Sequence, residues 1–486
     1  MNSQETPIWE DNLYLGSWKS GVGERFAVTA PATGETIAQL RLATTADVDR
    51  AASIAKAAER QWSEASFDQK AEILRRAAAL LRDRAPEINA WNTRECGSIG
   101  PKADFELQAT YEQAQMSAAL PMQPYGSIFP SSMPGRRNYW RRVPLGTVGV
   151  IAPWNFPILL AMRSVFPALA MGNCVILKPD VKSAVCGGAL MAQLLQDAGL
   201  PEGVFHVLPG GPEVGEALVE HPLIKMISFT GSTAVGRKIG ETCGRMLKKA
   251  ALELGGNNAQ VVMDDADLNT ASSCGAWGSF LHQGQICMQT GRHLVHSSIA
   301  DEYIELLAKR AKNLNCGDPA TEQVHLGPLI NEAQARRVED IVNRSVAMGA
   351  KVIAGGKRNG CYYEATVLAE VTEDMPAFAE EIFGPVAPVT TFDSDADACA
   401  LVNQSPYGLA AAIHSKSTER AQRLANQLHV GMIHINDQTI NNEFQVPFGG
   451  MGSSGNSGRF GGPANIEEFT TSQWVSVMDE GVQYPF

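Results

Sequence analysis

The 486-residue sequence lacks the features that mark several classes of protein. It has no low-complexity tract, and no cluster of Lys and Arg residues with which a protein neutralises nucleic-acid phosphates. Acidic residues outnumber basic ones by 52 to 40, for a net charge of −12, and 44% of the residues are hydrophobic. We therefore expect a folded chain of two to four domains, with no nucleic-acid partner and a small molecule as its ligand.

Signals for secretion and for the membrane are also missing. The nine cysteines include no Cys-x-x-Cys pair, and their odd number leaves one thiol unpaired in any disulfide scheme, which favours a reducing compartment. Residues 1–7 have neither the basic nor the apolar region of a signal peptide. The one uncharged stretch of membrane length, residues 143–162, contains three prolines and Asn155, which would leave backbone groups unsatisfied in lipid. We expect a cytoplasmic protein with no membrane partner.

The pattern after residue 146 is typical of an α/β fold with parallel sheets. Short β-branched or apolar runs at 147–152, 174–177, 204–208 and 226–229 are separated by segments with helical periodicity. A similar alternation resumes after residue 256, whereas helices dominate the prediction for the first quarter of the chain. Two α/β lobes should meet near residues 252–256, and ligands of open α/β sheets bind in such crevices. Two segments, 125–143 and 469–486, fit neither lobe and are predicted to be extended ribbons that need a partner surface.

Short blocks of residues indicate the chemistry better than any single motif. A G-x-G-x-x-G match at residues 450–455 has no βαβ unit after it, so we interpret it as a glycine-rich loop. Seven other blocks are stronger, and in chain order they read PWNFP (153–157), KPD (178–180), FTGS (229–232), ELGG (253–256), GQIC (284–287), EIFGP (381–385) and PFGG (447–450).

The order and spacing of these blocks resemble the aldehyde dehydrogenase superfamily over nearly the whole chain. The resemblance implies two α/β domains with parallel sheets and a small β oligomerisation ribbon. It places an NAD(P)-binding domain at 1–124 and 144–253, a catalytic domain at 254–455, and the ribbon and tail at 125–143 and 456–486. It also implies a homodimer or homotetramer.

The resemblance assigns three catalytic residues, and the local sequence agrees. Cys287 matches the nucleophile, Glu253 the general base and Asn155 the oxyanion donor. A thiolate adds to an aldehyde carbon, and the alkoxide that forms needs preorganised donors, which the Asn155 side chain and the Cys287 backbone N–H could supply. Oxidation to a thioester needs a nicotinamide cofactor as the acceptor. Glu253 lies in an apolar stretch, where desolvation raises the pKa of a carboxyl group towards the pH at which an enzyme works, so that the group can act as a general base.

The cofactor residues also follow from the resemblance. Lys178 should hold the adenosine ribose, Gly231 and Ser232 the pyrophosphate at a helix N-terminus, and Glu381 and Phe383 the nicotinamide ribose and ring. At position 181, where NAD-preferring members commonly have a glutamate, this chain has Val181, so we expect NAD but keep NADP possible. The full expected set is Ile151, Pro153, Trp154, Lys178, Asp180, Gly211, Phe229, Gly231, Ser232, Leu254, Glu381 and Phe383.

The segments around Lys178 and Cys287 are similar to those of bacterial benzaldehyde dehydrogenases, which implies an aromatic aldehyde as substrate; vanillin-like and aliphatic aldehydes are the alternatives. The expected pocket is mostly apolar and comprises Phe156, Leu160, Arg163, Leu281, Ile286, Met288, Ile440, Asn442 and Phe448. Arg163 could face the tunnel and attract a carboxylate or phenolate. The interpretation that we prefer turns it away into a salt bridge.

Other classes of function account for less of the sequence. A cysteine hydrolase could pair His282 with Cys287, but the five-residue spacing is poor geometry and leaves Lys178 unexplained. A non-enzymatic binding protein would be expected to have lost Cys287 or Glu253. We expect no metal, because His293 and His296 lie on a predicted strand without a third ligand, and Glu380 and Glu381 point to opposite faces of an extended chain.

Overall fold

The computed structural model describes residues 7–486, so most of the segment on which the expectation about secretion rests lies outside the described residues. Up to residue 253 the elements are β1 (Asn12–Leu15), β2 (Trp18–Ser20), β3 (Arg25–Thr29), β4 (Thr36–Arg41), α1 (Thr45–Ser63), α2 (Phe67–Asp83), α3 (Ala85–Cys96), α4 (Gly100–Ala119), β5 (Gly126–Phe129), β6 (Arg136–Pro144), β7 (Thr147–Ile151), α5 (Pro157–Ala170), β8 (Cys174–Lys178), α6 (Leu190–Asp197), β9 (Phe205–Val207), α7 (Pro212–Glu220), β10 (Ile224–Thr230), α8 (Thr233–Arg245) and β11 (Lys249–Glu253).

The rest of the chain forms a second series of strands and helices. These are β12 (Asn258–Val262), α9 (Leu268–Phe280), β13 (Thr290–His296), α10 (Ala300–Lys312), α11 (Glu332–Ala347), β14 (Lys351–Ala354), β15 (Arg358–Asn359), β16 (Tyr362–Tyr363), β17 (Thr366–Ala369), α12 (Pro376–Ala379), β18 (Val386–Phe392), α13 (Asp395–Asn403), β19 (Tyr407–Gly408), β20 (Ala410–His414), α14 (Thr418–Ala425), β21 (Met432–Ile435), β22 (Met451–Gly452), α15 (Ala464–Glu468) and β23 (Thr470–Met478).

The first sheet has seven strands in the order β11-β10-β7-β8-β9-β1-β2. The strands from β11 to β9 are parallel, and β1 and β2 extend the sheet in antiparallel fashion. The β-branched segment TVGVI of β7 lies at the centre of the five parallel strands and is buried on both faces, as expected for a strand covered by helices. The predicted predominance of helices in the first quarter is wrong for residues 12–41, where four short strands precede α1.

The second sheet also has seven strands, in the order β14-β17-β18-β13-β12-β20-β21. The strands from β17 to β21 are parallel, and β14 is antiparallel to β17. The chain passes from β11 of the first sheet to β12 of the second through residues 254–257. The carboxyl end of β11 therefore lies beside the start of the other lobe, where a ligand can contact both.

The two segments that fit neither lobe pair with each other. Strand β23 runs antiparallel to β6 over nine residue pairs, and β5 completes a three-stranded sheet on the other side of β6. Ile128 and Trp474 on this sheet are 88% and 71% exposed. We refer to β5, β6 and β23 as the ribbon sheet.

Helix α5 is buried along its whole length because its segment PILLAMRSVFPALA is apolar on every side except at Arg163 and Ser164. The uncharged stretch 143–162 is divided among β6, β7 and the start of α5. Among the described residues, no helix has the length and apolar character needed to cross a bilayer.

Candidate active site

The carboxyl ends of the parallel strands in the first sheet bring several predicted residues to one edge. Ile151 lies opposite both Lys178 on β8 and Phe229 on β10, and Thr230 lies opposite Glu253 on β11. Parallel pairing aligns strand ends in this way, so residues distant in sequence share the edge where α/β folds bind ligands. Glu253 is thus a residue at a strand end, and its backbone carbonyl accepts a hydrogen bond from the Gly231 N–H at 3.0 Å.

The turn after β10 leads into a helix with free N–H groups. Ser232 is the N-cap residue of α8, and its side chain makes no capping hydrogen bond. A Cβ atom at Gly231 would lie 2.5 Å from the Phe229 ring, so the turn requires glycine. A helix N-terminus with unbonded N–H groups and a positive dipole end can bind phosphate.

Asn155 precedes helix α5, whose N-terminus is fixed by a buried carboxylate. Glu106 Oε1 accepts the N–H groups of Ile158 at 2.8 Å and Leu159 at 3.1 Å, and Lys102 Nζ donates to Glu106 Oε2 at 2.6 Å. The negative charge of Glu106 interacts favourably with the positive end of the α5 dipole. Its carboxylate also accepts hydrogen bonds from N–H groups that have no partner within the helix. The position of Asn155 is set by this arrangement.

Cys287 lies in the loop between α9 and β13 and is half-buried. The Asn258 Nδ2 atom donates to the Cys287 carbonyl at 2.8 Å, which ties the loop to β12. The Asn155 Nδ2 atom donates to the Gln285 carbonyl at 2.9 Å, two residues before the thiol. His282 and Gln283 have φ angles of 50° and 57°, the left-handed backbone that makes the tight turn ahead of Cys287.

A cavity of about 320 Å³ brings the two lobes' residues together. It contains two of the predicted catalytic residues and most of the predicted cofactor residues, and its lining is Pro153, Trp154, Asn155, Leu160, Thr230, Gly231, Ser232, Leu254, Gly255, Cys287, Gln334, Arg337, Glu381 and Phe383. Ile151, Lys178, Asp180, Gly211 and Phe229 lie outside this lining, at the ends of β7, β8 and β10 and ahead of α7. Glu253 is also outside it, buried behind the cavity with 3% exposure.

Four lining residues are outside the predicted set. Thr230 and Gly255 belong to the FTGS and ELGG blocks, whereas no sequence block contains Gln334 or Arg337. Both are on α11, and they donate to backbone carbonyls of the EIFGP block: Gln334 to Phe383 at 2.8 Å, and Arg337 to Glu381 at 2.7 Å. An amphipathic helix with a Gln and an Arg one turn apart gives no chemical signal by itself. Helix α11 is part of the site only because it contacts the EIFGP block in the folded structure.

Burial dominates the ionisation of the acidic groups at the site. It raises the pKa of Glu253 to about 8, an effect that the positive charges of Arg163 and Arg459 oppose. It raises the pKa of Glu381 to about 7, although the Gly256 N–H bond at 2.9 Å favours the carboxylate. Burial likewise raises the pKa of the Cys287 thiol to about 12, and Arg163 is the main influence that lowers it. One Glu253 oxygen, Oε1, is buried without a partner among the described residues.

The end of strand β8 carries charges of both signs. Burial lowers the pKa of Lys178, while the carboxylates of Asp180 and Glu213 raise it. Lys182 Nζ donates to Asp180 Oδ1 at 2.9 Å, which neutralises that carboxylate. Gly211, the N-cap residue of α7, lies directly beside the Glu213 carboxylate.

Most of the predicted substrate residues lie in an apolar cluster beside Cys287, and one of them, Leu160, also lines the cavity. Phe156, Leu160, Ile286, Met288 and Phe448 form one buried apolar cluster, and Leu281, Ile440 and Cys287 pack against it. Arg163, Asn442 and Phe448 line a separate small cavity next to this cluster.

The salt bridge that we preferred for Arg163 is wrong. No carboxylate of the described chain lies within ion-pair distance of Arg163, and its Nη2 atom donates to Thr230 Oγ1 at 2.9 Å. The guanidinium instead lies over the rings of Phe448 and Phe460, at 5.0 and 4.7 Å from their centroids. These two aromatic rings explain how Arg163 can be buried, with 6% exposure, although it has no anionic partner.

The histidines do not form the arrangements that the other hypotheses need. His282 is fully buried, and neither ring nitrogen has a hydrogen-bond partner in the part of the chain that the structure describes, Cys287 included. Burial holds the pKa of His282 well below its usual value, so it is neutral. His293 is bonded to Ser279 and Tyr303 through its two nitrogens. The geometry therefore offers no Cys-His pair for a hydrolase.

Comparison with known proteins agrees with the fold and with this arrangement. The model for the aldehyde dehydrogenase family matches residues 18–475, and the chain belongs to this family of NAD(P)-dependent enzymes. The chain is 55% identical over 484 residues to a benzaldehyde dehydrogenase [NAD(+)] of Pseudomonas putida, with 100% of this chain and 99% of the relative covered. It is 50% identical over 479 residues to a vanillin dehydrogenase of an Amycolatopsis species, with 98% of each covered.

Solved structures show the same fold. A salicylaldehyde dehydrogenase from Pseudomonas putida G7, complexed with salicylaldehyde, superimposes with a TM-score of 0.95 at 33% identity, over 98% of this chain and 99% of that one. A betaine aldehyde dehydrogenase from Staphylococcus aureus in complex with NAD+ gives a TM-score of 0.95 at 28% identity, over 98% and 97% of the two chains. The predicted α/β fold of the aldehyde dehydrogenase type is confirmed.

Proposed function

We propose that the protein oxidises benzaldehyde-like aromatic aldehydes to carboxylic acids with NAD, using Cys287 as nucleophile. The observation that carries the proposal is the position of Cys287. It lines a cavity that also contains the α8 N-terminus, Glu381 and Phe383, and it packs against an apolar cluster. The aldehyde and the cofactor would meet at this sulfur atom, with the apolar cluster beside the ring of the aldehyde.

The first step begins with loss of the Cys287 thiol proton to water. The thiolate sulfur then forms a bond to the aldehyde carbon, and the carbonyl electrons move to oxygen. The resulting oxyanion needs donors. The Asn155 amide uses one N–H group on the Gln285 carbonyl, which leaves its second N–H available, and the Cys287 backbone N–H is the other donor that we assign.

The residues at the cavity fit a dinucleotide cofactor. The N–H groups of Ser232 and of the first turn of α8 have no backbone partner, which supports binding of a pyrophosphate there. We assign Lys178 to the adenosine ribose, and the Glu381 carboxylate to hydroxyl groups of the second ribose. The Phe383 ring packs edge-on against the Trp154 ring, with 5.6 Å between the ring centroids. Phe383 would form one wall of the site for the nicotinamide ring. When bound, the nicotinamide cofactor supplies the two-electron acceptor of the oxidation.

Glu253 is suited to release of the acid. The oxidised substrate is a thioester on Cys287, and its hydrolysis requires a water molecule to lose a proton as it attacks the acyl carbon. A carboxyl group with a pKa of about 8 is a stronger base than an exposed glutamate, and its Oε1 atom is free to accept that proton. Sulfur then leaves, and the Cys287 thiol is restored.

The preference for NAD over NADP is supported by charge. Val181 gives no carboxylate at the position where NAD-preferring members have one. The Glu213 carboxylate nevertheless lies close enough to Lys178 to raise its pKa, and a negative charge there opposes a 2′-phosphate. The Pseudomonas putida relative, whose name specifies NAD(+), is consistent with this preference.

A panel of aldehydes with both cofactors tests the function. We expect kcat/KM for benzaldehyde with NAD to exceed that for a straight-chain aldehyde by ~10-fold or more, because a flat ring fills the apolar cluster better than a flexible chain. Formation of NADH or NADPH at 340 nm is the measurement. No reduction of either cofactor with any aldehyde, alongside cofactor-independent ester cleavage, would contradict the proposal and favour a hydrolase.

We also propose that the ribbon sheet mediates assembly into a homodimer or homotetramer in the cytoplasm, with a cofactor domain at 1–124 and 144–253 and a catalytic domain at 254–455. The support for assembly is the exposed apolar surface at Ile128 and Trp474, and the support for a reducing compartment is that all nine cysteines are free.

A charge placed on the ribbon sheet should weaken assembly. The Trp474→Arg variant should shift the mass measured by light scattering towards that of a smaller species, because a buried arginine without a partner disfavours an interface. Val22→Arg is a matched control, since Val22 is 76% exposed and lies outside the ribbon sheet. Equal masses for wild type and Trp474→Arg would show that the ribbon sheet is not the interface.

A further inference from the structure

Arg163 is a buried cation in an otherwise apolar helix. It lies in the middle of α5, with its guanidinium between the rings of Phe448 and Phe460 and one hydrogen bond to Thr230 Oγ1. Its Nε atom is buried and has no partner among the described residues. Burying a guanidinium without a counter-ion is costly, so the fold must gain something from its charge elsewhere.

The contact with Thr230 places the charge near the reacting groups. Thr230 lies opposite Glu253 in the pairing of β10 with β11, so a guanidinium bonded to Thr230 is held close to the end of β11. Thr230 also lines the cavity that contains Cys287, so the guanidinium bonded to it is held close to that cavity. Among the charged groups near Cys287, which are Arg163, Glu253 and Glu381, only Arg163 is positive. The charged groups near Glu253 are Arg163, Arg459 and Glu468.

The space beside Arg163 is too small for a substrate ring. The cavity that it lines with Asn442 and Phe448 has a volume of about 20 Å³, which is the size of a single water molecule. The guanidinium is therefore poorly placed to hold an anionic ring substituent. Its charge acts on protein groups.

We propose that Arg163 is a positioning residue whose charge favours the ionised forms of Cys287 and Glu253, so that one cation supports both the nucleophile and the base. The inference rests on the roles proposed above for those two residues. An opposite charge within a few ångströms stabilises an ionised group in a poorly solvated site. At Cys287 the stabilised species is the thiolate, which attacks, and at Glu253 it is the carboxylate, which accepts a proton from water.

Alkylation of Cys287 by iodoacetamide as a function of pH tests the proposal on the whole enzyme without substrate. The thiol loses its proton to solvent, the sulfur attacks carbon and iodide leaves, so the rate reports the thiolate fraction. In Arg163→Met the rate profile should move to higher pH by about 1 to 2 units, and the rate at pH 8 should fall ~10-fold or more. Arg163→Lys, which keeps the charge, should restore most of the rate. Peptide mass spectrometry confirms that Cys287 is the alkylated residue.

Two further variants separate charge from packing. Arg459→Met removes a cation that faces Glu253 but not Cys287, so the alkylation profile should stay where it is in wild type. Thr230→Val keeps the Arg163 charge but removes the hydrogen bond that holds the guanidinium. In this variant the alkylation profile should also move to higher pH, but by less than in Arg163→Met. If Arg163→Met does not fold, as judged by circular dichroism, the Thr230→Val result decides the question.

Profiles for Arg163→Met and Thr230→Val that coincide with the wild-type profile would overturn the proposal. The alkylation needs neither aldehyde nor cofactor. A failure of the proposed function would appear in the aldehyde panel and would leave this measurement unaffected.

Discussion

Replacing Cys287 by alanine is expected to abolish aldehyde oxidation, with kcat lower by at least ~10⁴-fold. The reason is that no covalent adduct can form, so neither the oxyanion donors nor the cofactor cavity has an intermediate on which to act. NADH formation at 340 nm measures the loss, and mass spectrometry of wild-type enzyme mixed with substrate should detect an acyl group on the Cys287 peptide that the variant lacks.

Cys274→Ala is the matched control for the loss of a thiol. Cys274 is a half-buried free cysteine on α9 and lies outside the cavity lining, so this variant should retain wild-type kcat. Activity that survives in Cys287→Ala and disappears in Cys274→Ala would mean that another thiol is the nucleophile.

Replacing Glu253 by glutamine should separate the two halves of the reaction. The amide has the size of the carboxyl group but cannot accept a proton from water, so thioester hydrolysis should slow by ~10²- to 10⁴-fold. Rapid mixing with aldehyde and NAD should show a burst of NADH close to one equivalent per active site, followed by a slow steady state. Equal loss of burst and steady state would show that Glu253 also acts before the thioester forms.

The pH dependence of steady-state turnover gives a second measure of the same role. The base must be ionised, and the pKa of Glu253 is about 8, so where hydrolysis limits turnover the rate should rise with pH, reach half its maximum near pH 8 and level off about one to two units above that pH. The rise should be absent from the residual rate of Glu253→Gln. Glu302→Gln is a matched control for loss of a carboxylate, since Glu302 is exposed on α10 and contributes to neither the cavity lining nor the apolar cluster.

The sequence predicted those parts of the structure that depend on local pattern. The predicted runs form β7, β8, β9 and β10, and each strand end lies within two residues of the predicted one. The TGS turn opens a helix, and Cys287 lies in a loop, because turn residues and glycines specify local backbone. Several residues that were assigned from the family resemblance line one cavity in the structure: Asn155, Cys287, Gly231, Ser232, Glu381 and Phe383.

What could not be predicted depends on contacts between distant segments. Arg163 illustrates this, because the sequence shows a charge in an apolar helix but not the two aromatic rings, 285 and 297 residues further on, that cover it. Glu106 is another example, since its role at the N-terminus of α5 links positions 52 residues apart. The short strands before α1 were missed because each has at most six residues and none shows a clear alternation.

The edge of the first sheet has a consequence for synthesis of the chain. The Leu254 N–H donates to the Ser454 carbonyl, the Asn456 side chain bonds to both Leu252 and Ala250, and Glu253 forms a bridge with Gly455. Strand β11 therefore gains its outer neighbour only after about 200 more residues have left the ribosome. A nascent chain that already contains Cys287 still lacks the segment that covers the edge of β11 beside Glu253, so the enzyme should become reactive only after residues 454–456 have been made.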